Sequence, residues 1–329
     1  MSKIKVGIVG YGNVGCGAEH AISQNADMEL VAIFTRRNPE TITPVNKGVK
    51  VCKIEDAEKY VNSIDVMLLC GGSATDLMEQ APYFATLYNC VDSFDTHARI
   101  PEYFAIVDES AKRSKKVSII STGWDPGLFS LLRVLGIACI PNGCDYTFWG
   151  KGISQGHSDA IRRIKGVKHA AQYTIPIDTA IAEVRKGSNP SFTTRQKHIR
   201  ECFVVAEPQA DLTLIEQKIK TMPNYFCDYD TFVHFISEEE FKATHTKMPH
   251  GGFVFRTGTT GKEKIHQQRM EFSVQLDNNP EFTAGVMVAY ARAAHNLHLK
   301  GETGAKTVFD IPFGLLLPSS MEELRRAYL

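Results

Sequence analysis

Long apolar runs are missing from this chain. No stretch approaches the roughly 18 consecutive apolar residues that cross a bilayer as a helix, so no membrane partner is expected. The opening Met-Ser-Lys-Ile-Lys-Val-Gly-Ile-Val-Gly carries no apolar signal region or cleavage site, and the expected location is the cytoplasm. An excess of either charge is missing too. Lys plus Arg and Asp plus Glu number 37 each, without a long basic run, which argues against nucleic acid and for small-molecule partners. Metal and disulfide spacings are absent: Cys16, Cys52, Cys70, Cys90, Cys139, Cys144, Cys202 and Cys227 are scattered, with no Cys-x-x-Cys pair or Cys/His zinc pattern. They read as reduced and mostly buried, and no metal site is expected. No internal repeat or low-complexity segment is visible.

What is present suits two ordinary domains, since 329 residues exceed one typical core. Residues 4 to 9 form a short apolar run. Gly10-Tyr11-Gly12-Asn13-Val14-Gly15 follows at once and leads into a helical stretch to about residue 24. Further strand-like runs at 29–34, 66–70, 88–91 and 117–121 each end in a small or polar loop. Strands alternating with helices at this rhythm predict an α/β fold, a Rossmann-type doubly wound parallel sheet with its ligand at the strands' carboxyl ends. After about residue 126 the pattern changes. Runs at 145–150, 202–206, 231–236 and 270–276 predict a second, α+β domain with a mostly antiparallel sheet. Phe282 to Leu299 reads as one Ala-rich helix, and the tail from Thr307 as a segment packing back on the first domain. The expected domains are 1–125 (dinucleotide binding), 126–300 (substrate binding and dimerisation) and 301–329 (returning to the first).

A glycine pattern alone is weak, but this one follows a strand and opens a helix. Gly10 permits the tight turn, Gly12 lets backbone approach a pyrophosphate, and Gly15 lets helix and strand pack closely, while the helix N-terminus supplies amide donors. An Asp or Glu at the end of the second strand would bind the ribose hydroxyls of NAD. Here Thr35, Arg36 and Arg37 stand there instead, and a guanidinium fork matches a 2′-phosphate, so NADP is the expected cofactor.

Over nearly the whole chain the sequence resembles the meso-diaminopimelate D-dehydrogenase family of bacterial lysine and cell-wall metabolism. The resemblance rests on VGIVGYGNVG, IFTRR, LLCGGSATD, VDSFDTH, STGWDPGLFS, TFWGKGISQGHSDA, RECFVV, TMPNYF, MPHGG and LDNNPEFTA. It implies a cytoplasmic, homodimeric oxidoreductase that passes hydride from the D-centre of meso-2,6-diaminopimelate to NADP, yielding L-2-amino-6-oxopimelate and ammonia, reversibly. It implies cofactor contacts at Gly10, Tyr11, Gly12, Asn13, Val14 and Gly15, at Thr35, Arg36 and Arg37, and at Cys70, Gly71, Gly72 and Ser73. Ser93, Phe94 and Asp95 follow, with Thr122, Gly123, Trp124, Asp125 and Pro126. The implied substrate contacts are Asp95, Trp124, Asp125, Trp149, Gln155, Gly156, Thr174, Arg200, His250 and Asn279. Gly71 and Gly72 replace a bulkier pair seen in some relatives, and Ile153 stands where relatives vary.

Such a substrate has two ammonium and two carboxylate groups, so its pocket must present both signs. Asp95 and Asp125 would receive the reacting ammonium, and either could take the proton that must leave before hydride does. Arg200 offers a bidentate grip on the distant carboxylate, with Thr174, His250 and Asn279 completing hydrogen bonds. Trp124 and Trp149, the only two tryptophans, would wall the site against water. The segment Gly152 to Asp159 reads as a glycine-rich substrate loop. Two other readings share the Rossmann motifs: a saccharopine-type or other NADP-dependent amino-acid dehydrogenase, and a protein that senses NADP without turning it over.

Overall fold

The computed structural model describes residues 2–329. They form two compact units, residues 2–131 with 280–329, and residues 132–279.

In the first unit, seven strands form one parallel sheet in the order Gly304–Lys306, Val117–Ile119, Asn89–Asp92, Val66–Leu69, Ile4–Val9, Met28–Thr35, Lys50–Lys53. The central strands are apolar on both faces because both are covered. Val66 and Leu68 join Ile33 and the helices Asn13–Ser23 and Asn279–Leu299 in one core, while Met67 and Leu69 join Phe34 and the helix Ile100–Arg113 in the other. This is the doubly wound arrangement expected from the sequence. Order reverses between Ile4–Val9 and Val66–Leu69, and the crevice at such a reversal, at the strands' carboxyl ends, is where ligands bind in this architecture.

The expected boundary at 300/301 is not where the units divide. The helix Asn279–Leu299, read from the sequence as part of the second domain, buries Ala284, Met287, Ala291 and Ala294 in the first unit's core. Arg292 on the same helix, almost fully buried, donates to Asp27 (Nε to Oδ2, 2.6 Å), to Asn25 (2.8 Å) and to the Leu316 carbonyl (2.6 Å). A small-residue face reads identically whichever core it serves, so the sequence carried no mark of its host.

The second unit has two sheets. Asp230–Phe235, His198–Ala206, Val167–Pro176 and Gly152–Ile153 form one, antiparallel except for the first pair. The other is fully antiparallel: His266–Leu276, His250–Thr260, Gly143–Trp149. Helices Gln155–Arg162 and Leu212–Lys220 pack on the four-stranded sheet through Ile161, Ile215 and Ile219. Helix Asp178–Arg185 covers the three-stranded sheet through Ile181 and Val184. Two of these strands escape sequence reading for physical reasons. Val167–Pro176 is buried along its middle on both faces and lacks alternation, and His250–Thr260 carries Gly251 and Gly252 directly after its first residue. The segment expected to be a substrate loop is a two-residue strand followed by a helix, because Ser154 caps it by accepting from the His157 amide.

Among the described residues all eight cysteines are free. Only Cys90 and Cys202 are buried, against the expectation that most would be, and Cys139, Cys144 and Cys227 are exposed. Among the described residues, no helix is long and apolar enough to cross a membrane, and no group of three or more His, Cys, Asp or Glu side chains could hold a metal ion.

Candidate active site

The glycine turn is dictated by its surroundings. Gly10 sits at φ +87°, a backbone conformation that side chains disfavour, and a Cβ on Gly15 would lie 2.1 Å from the Gly10 carbonyl oxygen. Gly12 differs: a Cβ there would meet nothing within 4 Å, so the protein's own packing does not require glycine. Gly12 leads the helix Asn13–Ser23 without a side-chain cap, and no acidic residue lies in the first turn. An amide-rich, positive helix end without carboxylate competition fits a pyrophosphate.

The two arginines stand beside this turn. Thr35, buried at the end of its strand, accepts from the Arg37 amide at 3.1 Å, and the Arg37 guanidinium donates to the Tyr11 carbonyl. Arg36 is exposed and pairs with Asp76 at 2.7 Å, while the other oxygen of Asp76 accepts from the Gly72 amide at 3.0 Å. The strand ends at Thr35 and Leu69 are thus tied together by charge. Only the Arg36 side of this pair faces solvent: its side chain is 64% exposed and that of Asp76 11%. The Tyr11 hydroxyl donates to Glu19, a buried carboxylate that also accepts from the amides of Val45 (3.1 Å) and Asn46 (2.7 Å). Burial first, then Glu19, raises the Tyr11 hydroxyl's pKa, so it stays protonated. Cys70 is half-buried, and desolvation of its sulfur pushes the thiol up to about 12.

Ser73 Oγ accepts from the Asp95 amide at 3.0 Å, linking the loops after two neighbouring strands. Asp95 is exposed and Asp125 half-buried, while Trp124 is buried with its ring edge-on to Phe129 at 5.2 Å. These sequence-predicted residues all belong to the first unit.

The second unit brings another set together. Thr174 stands opposite Arg200 in the antiparallel register and opposite Gly152 on its other side. A Cβ on Gly152 would come within 2.6 Å of the His250 ring, which places that ring beside the same strand pair. The Asn279 amide donates to the Met248 carbonyl at 2.9 Å, two residues from His250. Gln155 and Gly156 open the helix that Ser154 caps. Arg200 is 5% exposed and donates to Thr174 Oγ1, with its guanidinium carbon 3.9 Å from the centre of the Tyr229 ring. Its Nε is buried without a hydrogen-bond partner, and among the described residues no carboxylate pairs with it. Burial therefore lowers its pKa from the usual guanidinium value. A buried cation with an unused donor fits a carboxylate.

Two histidines complete this surround as neutral groups. His198 Nε2 accepts from the Trp149 amide at 2.8 Å, so its proton sits on Nδ1, and its ring stacks on the Trp149 indole at 5.5 Å. His157 shares a 2.6 Å hydrogen bond with Ser154 Oγ. Burial, followed by the charge of Arg200, brings each down to about 3. Sequence reading did not single out Glu19, His198 or Tyr229, nor Asp92, a buried carboxylate that accepts from the Phe94 and Ser121 amides. Asp92 alone left a signal, as the first of two aspartates three apart at a strand end.

A seven-stranded parallel sheet whose first turn is a glycine cradle opening a helix makes the first unit a Rossmann-type dinucleotide-binding domain. Residues 123–278 match the family model of the diaminopimelic acid dehydrogenase C-terminal domain. The chain is 63% identical over its full length to the full-length meso-diaminopimelate D-dehydrogenase of Ureibacillus thermosphaericus. Among solved structures, DAP dehydrogenase of C. glutamicum in complex with DAP has a TM-score of 0.93 at 43% identity, covering 100% of both chains. An engineered D-amino acid dehydrogenase bound to NADP+ has a TM-score of 0.89 at 42% identity, again covering 100% of both. The chain belongs to the meso-diaminopimelate D-dehydrogenase family.

Proposed function

We propose that this chain catalyses the reversible, NADP-dependent oxidative deamination of meso-2,6-diaminopimelate at its D-centre, giving L-2-amino-6-oxopimelate and ammonia. The observation that carries the reading is Arg200, a buried cation with an unused donor and no protein carboxylate, in a chain whose full-length relatives act on a dicarboxylate. Bound NADP supplies the hydride acceptor. In this reading Asp95 and Asp125 receive the reacting ammonium, and one of them takes its proton so that the neutral amine can lose hydride. The resulting imine is hydrolysed by water, releasing ammonia. Arg200, with Thr174, His250 and Asn279, grips the L-centre. Gln155 and Gly156 line the substrate, and Trp124 and Trp149 exclude bulk water during transfer.

The cofactor is held through Gly10 to Gly15, Thr35 to Arg37, Cys70 to Ser73, Ser93 to Asp95 and Thr122 to Pro126. A homodimer is part of the proposal, supported by Val134, Leu135 and Ile137, which expose 50%, 45% and 46% of their surface on one helix. Cytoplasmic residence is supported by eight free cysteines. The test is absorbance of reduced nicotinamide with NADP and meso-diaminopimelate, against the L,L and D,D isomers and NAD. Reduction with the meso isomer and little with L,L is the expected result. Tight NADP binding without reduction by any isomer would overturn it.

A further inference from the structure

Asp92 ends the strand Asn89–Asp92 and is 1% exposed, yet among the described residues it has no ion pair. Its Oδ1 accepts from the Phe94 amide at 2.9 Å and from the Ser121 amide at 3.0 Å, and its Oδ2 accepts from the Tyr103 hydroxyl at 2.7 Å. Its backbone carbonyl accepts both the amide (2.9 Å) and the hydroxyl (2.8 Å) of Thr122. One residue therefore holds two loops that leave adjacent strands, 93–95 and 121–126, and ties both to the helix Ile100–Arg113 that carries Tyr103. The fully buried rings of Phe94 and Tyr103 stack at 4.0 Å, so the first loop is fixed by side chain as well as by amide.

The second loop starts under strain. Ser121 sits at φ +56°, a region that residues with a side chain disfavour, and its bond to Asp92 is what its amide gains there. Burying a carboxylate is costly, and a strand-end turn needs only one acceptor, which Ser or Asn supplies. Three donors converging from two loops and a helix need the two oxygens of a carboxylate. Burial pushes the Asp92 carboxyl up to about 6, and the three hydrogen bonds pull it the other way.

We propose that Asp92 is a positioning residue: it locks the backbone that carries Asp95 to the backbone that carries Trp124 and Asp125, and so sets the separation of the two carboxylates that meet the reacting ammonium. This rests on the function proposed above. The locked element is local to the first unit, and the cofactor turn at Gly10 to Gly15 lies outside it.

The test compares Asp92→Asn, which keeps one oxygen acceptor and the shape, with Tyr103→Phe, which keeps the ring stack and removes one donor. Asp92→Ala is an optional third. Asp92→Asn is expected to lower kcat about 10- to 100-fold, the value of charged hydrogen bonds, while NADP affinity falls by a smaller factor, since 93–95 and 122–126 also hold cofactor but the turn at 10–15 and Arg36 and Arg37 keep their places. Tyr103→Phe is expected to lower kcat about 3- to 10-fold. Hydrogen exchange, measured without substrate, is expected to quicken in 93–95 and 121–126 together and to stay unchanged in 10–16. Unchanged kcat and exchange in Asp92→Asn would overturn the proposal. So would faster exchange throughout the first unit, 10–16 included, because that is general destabilisation. The exchange arm needs no turnover: a wild-type protein inactive with meso-diaminopimelate would sink the proposed reaction, and exchange would still decide whether Asp92 couples the loops.

Discussion

In the first unit the groups proposed to meet ligand are mostly backbone amides at strand ends, presented by glycines and by short polar loops. In the second they are side chains, Arg200 above all, each held in place by another side chain: Thr174 and Tyr229 for Arg200, His198 for Trp149. The two units also bury charge differently. The first buries a carboxylate, Asp92, among donors, and the second buries a cation ringed by neutral histidines. A backbone site is fixed once the chain takes its fold. A side-chain site is fixed only when its supporting shell is in place, so it can change specificity without touching the fold.

The largest expected break in this comparison comes from Arg200→Leu. Losing a desolvated carboxylate contact should weaken binding of meso-diaminopimelate by about 2 to 4 kcal/mol and raise KM accordingly, while NADP binding stays nearly constant. Steady-state kinetics with NADP titrated separately would detect it, and an unchanged KM would remove Arg200 from the substrate site. Thermal stability should not fall, since an unpaired buried cation has been replaced by an apolar group.

Arg36→Ala combined with Arg37→Ala tests the other side. KM for NADP should rise about 10- to 100-fold with little change for NAD, because the lost donors meet only the 2′-phosphate. Equal effects on both cofactors would mean that the pair acts through the Tyr11 turn instead.

The smallest effect separates the units by pH. Burial brings His198 down to about 3 from its ordinary 6.5, so its contribution to stability is present above the unfolded pKa and is lost as pH falls. Acidification from pH 7 to 5 should remove about 2 kcal/mol through this group. Asp92 has the opposite sign: with a folded pKa of about 6 against 3.8, its contribution is present at low pH and is lost as pH rises through 6. The same acidification should return about 1 kcal/mol to the first unit. Protection from hydrogen exchange, corrected for the intrinsic rate at each pH, should therefore fall in 132–279 more than in 2–131, and His198→Gln should remove about half of the difference, because His157 carries a like shift. A uniform fall would contradict the assignment.

Legibility from sequence follows the same division. The sheet of the first unit, its glycine turn and the Arg pair were readable because strand, turn and helix are local in sequence and each glycine answers a local geometric need. Short edge strands, Lys50–Lys53 and Gly304–Lys306, left no periodic trace. In the second unit Arg200, Thr174 and His250 come from strands far apart in the chain, and resemblance alone pointed to them. Tyr229 and His198 act by ring stacking and by one backbone hydrogen bond, neither of which leaves a spacing to read. The helix Asn279–Leu299 shows the limit for domain boundaries, since its Ala-rich face suited either core equally.

That helix has a consequence for the order in which the protein can be made. A ribosome delivers residues 132–279 as one uninterrupted piece, so the second unit has its whole sequence before the first does. The first unit, begun earlier, must wait for the helix Asn279–Leu299 and for the strand Gly304–Lys306, which covers the edge of Val117–Ile119. Until then that edge stands unpaired, and the core face holding Val6, Ile8 and Leu68 lacks Met287 and Ala291. The domain started first is therefore finished last, and Arg292, reaching back to Asn25 and Asp27, joins the newest chain to nearly the oldest.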